Sequence, residues 1–244
     1  MFRKKLILKK THDFSAVKEP KLTVVFIHGI AADSSSFTNA IKYLEGTTSL
    51  KDIRFVAFDL LGSGQSYASD KLNYNYKEQI EALHNAISKL KLTTPLVLVG
   101  HSMGTFIVTR YANTFKKSAK HLILVSPPIY TVKDLENPAF DKALDMFRDA
   151  VSLKNRQVLE TKAFNNSIKN IVTNKKNYQN LANLKTHATL IYGDRDAFIA
   201  IYNLPKILKD NPKYLTAIRT IGHHGVSREK YSKMVGVLEG VLNA

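Results

Sequence analysis

Short, almost continuous apolar runs recur along the chain, separated by longer segments whose apolar residues stand at helical spacing. Runs of about four to eight apolar residues, rich in β-branched and aromatic types, are typical of strands buried on both faces of a sheet. A weak alternation over Lys5–Lys9 predicts an exposed edge strand, since lysines suit such an edge. The buried strands are predicted at Leu22–Ile27, Ile53–Phe58, Pro95–Val99, His121–Val125, Ala188–Tyr192 and near Tyr214–Arg219.

Helical segments connect these strands. Apolar residues three and four positions apart lie on one face of a helix, as in the segment before Leu90. Asp33 or Ser34 is the predicted cap of the first helix. Strands that alternate with helices predict an α/β fold, in which a mostly parallel sheet carries helices on both faces and functional loops at the carboxyl ends of its strands. The helices are predicted over Phe37–Leu44, Glu78–Leu90, Thr105–Tyr111, Ile199–Leu208 and Arg228–Leu242.

The alternation stops between Ile129 and Leu184, where no strand-like apolar run occurs. Leu144, Phe147 and Val151 stand at helical spacing within this polar segment. We therefore predict a core domain formed by residues 1–128 and 185–244, with residues 129–184 inserted as a helical lid over the carboxyl edge of the sheet. Most apolar residues of the insertion are expected to seat it on the core, and one or two to line a pocket.

Composition sets the class and compartment of the protein. The 244 residues suffice for one large domain with a sizeable core, and the absence of cysteine excludes disulfides and thiolate chemistry. The basic start, residues 1–5, is followed by an apolar run too short for a signal peptide or a membrane span. A cytoplasmic protein without stable membrane insertion is expected.

The formal net charge of +16 raises the question of an anionic partner. The lysines are scattered in ones and twos, as in Lys116-Lys117, without a long basic run or interleaved aromatic residues. This pattern favours a generally basic, solvated surface over a nucleic-acid site. No nucleic-acid partner is predicted, and the remaining expectation is a weak attraction to anionic surfaces.

The most informative motif is Gly100-His101-Ser102-Met103-Gly104, which comes directly after a predicted strand and before a predicted helix. A serine at the tip of a sharp strand-to-helix turn needs neighbours without a Cβ atom, because strand and helix pass close together there. The turn would project the Ser102 hydroxyl above the carboxyl edge of the sheet, where a nucleophile is accessible.

Serine attack on an acyl carbon requires a base and a carboxylate that orients the base. The later strand ends supply two candidates of each kind, the carboxylates Asp194 and Asp196 and the imidazoles His223 and His224. The dispersed histidines do not match a metal site, because adjacent residues do not share a helix face. The glycine-rich loop at Gly62–Ser66 lacks both the P-loop ending and the third glycine of a dinucleotide fingerprint.

The ordered motifs closely resemble those of the α/β-hydrolase family, in particular its serine esterase and lipase branch with a helical lid. The resemblance covers nearly the whole chain from Leu22 and is weakest in the insertion. It rests on the turn around Ser102 and on four further segments: His28-Gly29-Ile30, Asp59–Ser66, Gly193–Asp196 and Gly222-His223.

The resemblance implies a role for each matching residue. Ser102 becomes the nucleophile, His223 the general base and then acid, and Asp196 the orienting carboxylate. The backbone N–H groups of Ile30 and Met103 become the oxyanion hole. The family spacing favours Asp196 over its neighbour Asp194, and the preceding glycine favours His223 over the histidine that follows it. Neither a cofactor nor a metal is implied.

The function implied by the resemblance is hydrolysis of small-molecule carboxylic esters with small to medium acyl groups, through an acyl-enzyme. A serine at the nucleophile position and the absence of tryptophan disfavour dehalogenases and soluble epoxide hydrolases of this fold. Two alternatives remain open. The same triad serves in hydrolases of C–C, thioester or amide bonds, and some proteins on this scaffold are ligand receptors without turnover.

Overall fold

A computed structural model describes residues 6–150 and 161–244 of the chain. Seven strands form one sheet in the order β1-β3-β2-β4-β5-β6-β7. The strand β1 is antiparallel to its neighbour β3, and all other pairs are parallel. The strands are β1 Lys9–Ser15, β2 Leu22–Ile27, β3 Ile53–Asp59, β4 Leu96–His101, β5 His121–Val125, β6 Ala188–Gly193 and β7 Leu215–Thr220.

Helices cover both faces of the sheet. One apolar cluster joins β2–β6 to α2, α3 and α8, and a second joins the other face of the sheet to α1 and α9. The strand β2 is buried along its whole length because its side chains alternate between these two clusters. The helices are α1 Thr38–Glu45, α2 Tyr76–Lys89, α3 Met103–Thr114, α4 Val132–Leu135, α5 Pro138–Ala150, α6 Thr161–Ser167, α7 Asn177–Ala182, α8 Leu204–Asp210 and α9 Arg228–Asn243.

Side-chain caps set the starts of two early helical segments. Asn75 accepts a hydrogen bond from the Glu78 N–H, and the Glu78 carboxylate accepts one from the Asn75 N–H, so α2 begins two residues earlier than its apolar spacing indicates. Asp33 caps the 3₁₀ turn Ser34–Phe37 that leads into α1. Of the two predicted caps, the structure therefore selects Asp33.

The predicted edge strand at Lys5–Lys9 is wrong in position. The strand β1 begins at Lys9, whereas Leu6 and Leu8 precede it and are buried in the core. An edge strand that pairs only with β3 leaves most of its side chains in solvent, so β1 carries no apolar alternation to reveal it. The ion pair between Asp13 and Arg54 joins the two strands on the exposed side.

The described part of the segment between β5 and β6 contains helices and loops and no strand. It contains α4 to α7 and a π-helical turn over Ile168–Val172. Residues 151–160 of the predicted insertion, including Val151, and residues 1–5 of the basic start lie outside the described residues. Leu144 and Phe147 pack against the apolar cluster of α2 and α3, as expected for residues that seat the segment on the core.

Candidate active site

The loop from β4 to α3, here called the serine loop (Gly100–Gly104), holds Ser102 in a strained conformation. Ser102 has φ 51° and ψ −120°, a backbone conformation that non-glycine residues seldom adopt. Close packing maintains it, since a Cβ atom on Gly100 would lie 2.6 Å from the Gly104 carbonyl oxygen and one on Gly104 would lie 2.3 Å from the Ile27 carbonyl oxygen. The Ser102 N–H also donates to Val125 O at 3.0 Å. The turn predicted from the motif is present.

A chain of hydrogen bonds runs from Ser102 through an imidazole to a carboxylate. His224 Nε2 lies 2.8 Å from Ser102 Oγ, and His224 Nδ1 lies 2.9 and 3.0 Å from the two carboxylate oxygens of Asp196. Because the carboxylate only accepts, Nδ1 carries the proton and Nε2 accepts from the serine hydroxyl. This is the geometry in which an imidazole removes a proton from a nucleophilic hydroxyl.

Asp196 is held as a charged carboxylate although it is buried. Burial alone would raise its pKa, but the hydrogen bonds from the His224 Nδ1–H and the Phe198 N–H outweigh burial and hold the pKa below its ordinary value. The charged form is the one that orients an imidazole and stabilises its protonated state.

The structure brings His224, rather than the predicted His223, to Ser102. His223 is exposed, and its Nδ1 lies 3.2 Å from Arg195 O. The reason is the path of the preceding glycine: Gly222 has φ 136° and packs so tightly on Gly193 that a Cβ atom on Gly193 would lie 2.2 Å from the Gly222 carbonyl oxygen. The chain therefore turns the first histidine outward and the second one inward.

The preference for Asp196 over Asp194 agrees with the contacts. Asp194 accepts from Arg219 Nη2 at 2.9 Å and from the Gly222 N–H at 3.1 Å. These partners hold the end of β7 and the start of the next loop, and Asp196 alone of the two carboxylates contacts His224.

The two backbone N–H groups expected to form an oxyanion hole belong to residues beside Ser102. Ile30 and Met103 line the same cavity as Ser102. His28 fixes the peptide group before Ile30, because its Nδ1–H donates to Gly29 O at 2.7 Å while its Nε2 accepts from the Leu60 N–H at 2.9 Å. In a trans peptide the Ile30 N–H points opposite to that carbonyl oxygen.

A cavity of about 390 Å³ opens next to Ser102 and His224. Its described lining contains no carboxylate, ammonium or guanidinium group. The ring of Phe198 packs edge-on against His224 at 5.4 Å between ring centroids. The apolar lining comes from the core and from the segment between β5 and β6, including Phe106, Tyr130, Phe140, Leu144, Met146, Phe147, Ile168, Val172 and Phe198.

Most of the residues that line the cavity were not predicted from the sequence. One or two apolar residues of the insertion were expected to line a pocket and Met103 was placed at the oxyanion hole, whereas Phe198 was given no role. The signal for Phe198 is its place two residues after Asp196, where its N–H donates to the carboxylate and its ring reaches the cavity. Tyr130 donates a hydrogen bond from its hydroxyl to Phe198 O at 2.7 Å.

Metal-binding clusters and membrane-length helices are both absent from the described residues. No group of three histidine, aspartate or glutamate side chains gathers as metal ligands would within residues 6–150 and 161–244. Across the same ranges, every helix is too short or too polar to cross a bilayer.

The sequence and the fold agree with one protein family. The sequence profile of the alpha/beta hydrolase fold matches residues 23–169, more than half of the chain. The chain therefore belongs to the α/β-hydrolase family. Its mostly parallel seven-stranded sheet has the fold that the motifs predicted.

Several relatives share this match. "Probable lysophospholipase BODYGUARD 5" of Arabidopsis thaliana is 37% identical over 135 residues, which is 55% of this chain and 30% of that protein. "Putative esterase/lipase 2" of Mycoplasma pneumoniae is 31% identical over 103 residues, 42% of this chain and 37% of that protein. The matched part thus spans 30% and 37% of the length of these two relatives.

Solved structures resemble the whole chain. A carboxylesterase from the thaumarchaeon Nitrososphaera gargenis has a TM-score of 0.73 at 19% identity, covering 97% of this chain and 95% of that one. An esterase from Exiguobacterium antarcticum has a TM-score of 0.73 at 17% identity, covering 97% and 96%. Identities this low show a shared fold and no more.

Proposed function

We propose that the protein is a serine hydrolase that cleaves carboxylic esters with small to medium acyl groups through an acyl-enzyme. The proposal rests on one observation, the series of hydrogen bonds from Ser102 through His224 to Asp196. The serine end of this series lies in an apolar cavity. The esterase, lipase and lysophospholipase names of the relatives support ester bonds as the substrate class.

Acylation begins at Ser102 Oγ, which attacks the ester carbonyl carbon while its proton moves to His224 Nε2. Negative charge collects on the carbonyl oxygen, and the N–H groups of Ile30 and Met103 donate to it. When the tetrahedral intermediate collapses, the C–O bond to the alcohol breaks. His224 returns the proton to the departing alkoxide, which leaves as a neutral alcohol and leaves the acyl group on Ser102.

Deacylation repeats these steps with water. The water oxygen attacks the acyl carbon, one of its protons moves to His224 Nε2, and the same two N–H groups stabilise the second oxyanion. Collapse breaks the bond to Ser102 Oγ, which recovers the proton from His224 while the carboxylic acid is released. Throughout, charged Asp196 stabilises the positive imidazolium.

The apolar cavity is the proposed acyl site. Its volume of about 390 Å³ lies at the lower end of the range for small-molecule sites, which supports small to medium acyl groups. Phe140, Leu144 and Phe147 of α5 form one side of the cavity. In this proposal residues 129–184 act as a lid, and this helix bounds the length of acyl chain that fits.

The absence of charged groups in the described cavity lining also favours ester hydrolysis over C–C bond hydrolysis. Hydrolysis of a C–C bond in a dioxo acid would require a cationic group for the substrate carboxylate, and the described lining supplies none. An uncharged ester fits this lining without an unpaired charge. Thioesters and amides share the same acyl chemistry, and we include them in the test.

The test combines active-site labelling with an ester series. We expect a fluorophosphonate probe to label the wild-type protein, and p-nitrophenyl butyrate and octanoate to be hydrolysed faster than the palmitate. Ser102→Ala should abolish labelling and lower kcat by about 10⁴-fold or more. Ser88→Ala, on the exposed end of α2, is the matched control and should label like the wild type.

Two outcomes contradict the proposal. A folded wild-type protein that neither labels nor turns over any acyl substrate would favour a ligand receptor on this scaffold. Rates that rise steadily up to the palmitate would contradict the small to medium acyl preference, and faster turnover of thioesters or amides than of matched esters would contradict the ester assignment.

A further inference from the structure

A lysine lies buried beneath the loop that carries His224. Lys230, in the first turn of α9, is 0% exposed. It stands four residues before Met234 on the helix face that continues through Leu238 and Val241, so it occupies a position where the pattern of α9 would place an apolar residue.

The ammonium group of Lys230 uses all three of its hydrogens. It donates to Ser126 Oγ at 2.7 Å, to Gly225 O at 3.0 Å and to His223 O. A protonated lysine has three donors and no acceptor, so its bonding capacity is complete. All three acceptors are neutral groups, and two of them are backbone carbonyls on either side of His224.

The carbonyl between them is held by the same network. Ser126 Oγ donates to His224 O at 2.8 Å, and His101 Nε2 donates to the same oxygen at 2.9 Å. Burial above all, together with the positive charge of Lys230, lowers the pKa of His101 to about 3, so this imidazole is a neutral donor. Three consecutive carbonyls, from His223 to Gly225, therefore have fixed directions.

Burying an ammonium group is unfavourable, and a well-packed apolar side chain of similar size avoids that desolvation. The loop is held at Gly222, which packs on Gly193 and whose N–H donates to Asp194. At its other end, a Cβ atom on Gly225 would have no neighbour within 4 Å. The bonds of Lys230 thus hold the carbonyl groups on either side of His224 where close packing does not.

We propose that Lys230 is a positioning residue for the active site, acting through Ser126 and the carbonyls of His223 and Gly225 to hold the His224 ring between Ser102 and Asp196. The inference rests on the proposed esterase function. In this proposal Lys230 contacts neither the substrate nor the reacting atoms. It acts on the base, His224, through the backbone of the loop that carries His224.

The three donors of Lys230 also give the loop a sensitivity to alkaline pH. Burial lowers the pKa of Lys230 from its ordinary value, and the charge of Asp196 partly offsets this effect. A neutral amine has only two N–H donors, so deprotonation removes one of the three bonds. Among the described residues, the titratable side chains that interact electrostatically with the ammonium group are Asp196 after β6 and His101 at the end of β4, while His223 contributes its backbone carbonyl.

The test compares Lys230→Met with Lys233→Met. Both variants remove one positive charge from α9, but Lys233 is exposed and serves as the matched control. For p-nitrophenyl butyrate we expect Lys230→Met to lower kcat and the rate of fluorophosphonate labelling 10- to 100-fold, with KM within about threefold of the wild type. Lys233→Met should stay within about twofold in all three quantities.

The pH profile distinguishes positioning from a merely structural role. We expect kcat/KM of the wild type to fall at a pH below the ordinary lysine pKa of about 10.4, and this alkaline fall to be absent from Lys230→Met. If Lys230→Met lowers the melting temperature but its folded fraction keeps the wild-type kcat and the alkaline fall, the proposal is wrong.

A second variant covers the case in which Lys230→Met does not fold. Ser126→Ala keeps the ammonium group but removes the donor from Ser126 to His224 O, and we expect it to lower kcat about 3- to 30-fold with little change in KM. An unchanged kcat in Ser126→Ala would overturn the proposal. Failure of the esterase assignment is a separate result, because it would appear as a wild-type protein that neither labels nor turns over.

Discussion

The serine loop and the loop that carries His224 (residues 222–225, here the histidine loop) meet at two hydrogen bonds, from Ser102 Oγ to His224 Nε2 and from His101 Nε2 to His224 O, but are held in place by different means. The serine loop is fixed by close approach of backbone to backbone, as shown by the absence of room for a Cβ atom on Gly104. The histidine loop packs against Gly193 at Gly222, has open space around Gly225, and is held there by the side chains of Lys230 and His101.

The difference shows two ways to hold a reactive group. The small residues that permit the backbone packing of the serine loop form a five-residue motif, so the Ser102 turn is recognisable in the sequence although Gly104 packs against the distant Ile27. Long-range hydrogen bonds depend on elements that are far apart in the chain, and they leave the histidine loop sensitive to changes in distant side chains. Predictions for the two loops therefore differ in kind.

The largest loss of activity is expected at Asp196, whose carboxylate orients the His224 ring toward Ser102. Asp196→Asn should lower kcat for p-nitrophenyl butyrate by about 10⁴-fold, because an amide in place of the carboxylate no longer stabilises the imidazolium and favours the wrong tautomer. Stopped-flow and steady-state rates measure this loss.

Asp194→Asn is the matched control. It removes the same charge two residues away, but Asp194 contacts Arg219 and the Gly222 N–H and not His224. We expect a loss of less than about tenfold in kcat. Equal losses in the two variants would mean that the carboxylates act through general electrostatics and not through the contact with His224.

The serine loop should respond to added volume. Gly104→Ala places a Cβ atom against the Ile27 carbonyl oxygen, and we expect it to lower the free energy of unfolding by about 1–3 kcal/mol. The control is Gly236→Ala on the exposed side of α9, where the new Cβ atom meets nothing within 4 Å and helix propensity predicts a gain of about 0.4–1 kcal/mol. Urea denaturation measures both values. An unchanged free energy of unfolding in Gly104→Ala would show that close backbone packing does not hold the serine loop.

The sequence predicts the features that depend on local motifs better than those that depend on contacts between distant residues. The strands β2 to β6 and the turn at Ser102 were predicted because apolar runs and glycine spacing are local signals, and the half-exposed β7 was predicted from the order of elements around it. The choice of His223 over His224 was wrong because it depends on how Gly222 packs on Gly193, a contact between residues 29 positions apart. Lys230 carries a signal that was overlooked, a lysine in register with the apolar face of α9.

The smallest effect is expected far from both loops, at the edge strand β1. The hydrogen bond from Arg54, aided by Lys10, holds the pKa of Asp13 at about 2, against the ordinary aspartate value near 3.9. Asp13→Asn should therefore lower the free energy of unfolding by up to about 1 kcal/mol at neutral pH, since the pair is partly exposed. Urea denaturation at several pH values measures the difference between the two proteins.

The direction of the pH dependence follows from the depressed pKa. The unfolded chain binds the Asp13 proton more readily than the folded one, so the advantage of the wild type over Asp13→Asn is complete above about pH 4 and shrinks as pH falls toward 2. Ester hydrolysis at neutral pH should be unchanged. A change in kcat would show that β1 and the active site are coupled, contrary to this expectation.

The most direct test of the active-site assignment is a pair of single substitutions, His223→Ala and His224→Ala, assayed for fluorophosphonate labelling and for hydrolysis of p-nitrophenyl butyrate. The structure joins His224 to Ser102 and Asp196 and turns His223 outward. We predict that His224→Ala loses about 10⁴-fold or more in kcat and that His223→Ala stays within about threefold of the wild type. The opposite ranking, with His223→Ala inactive and His224→Ala active, would contradict the account.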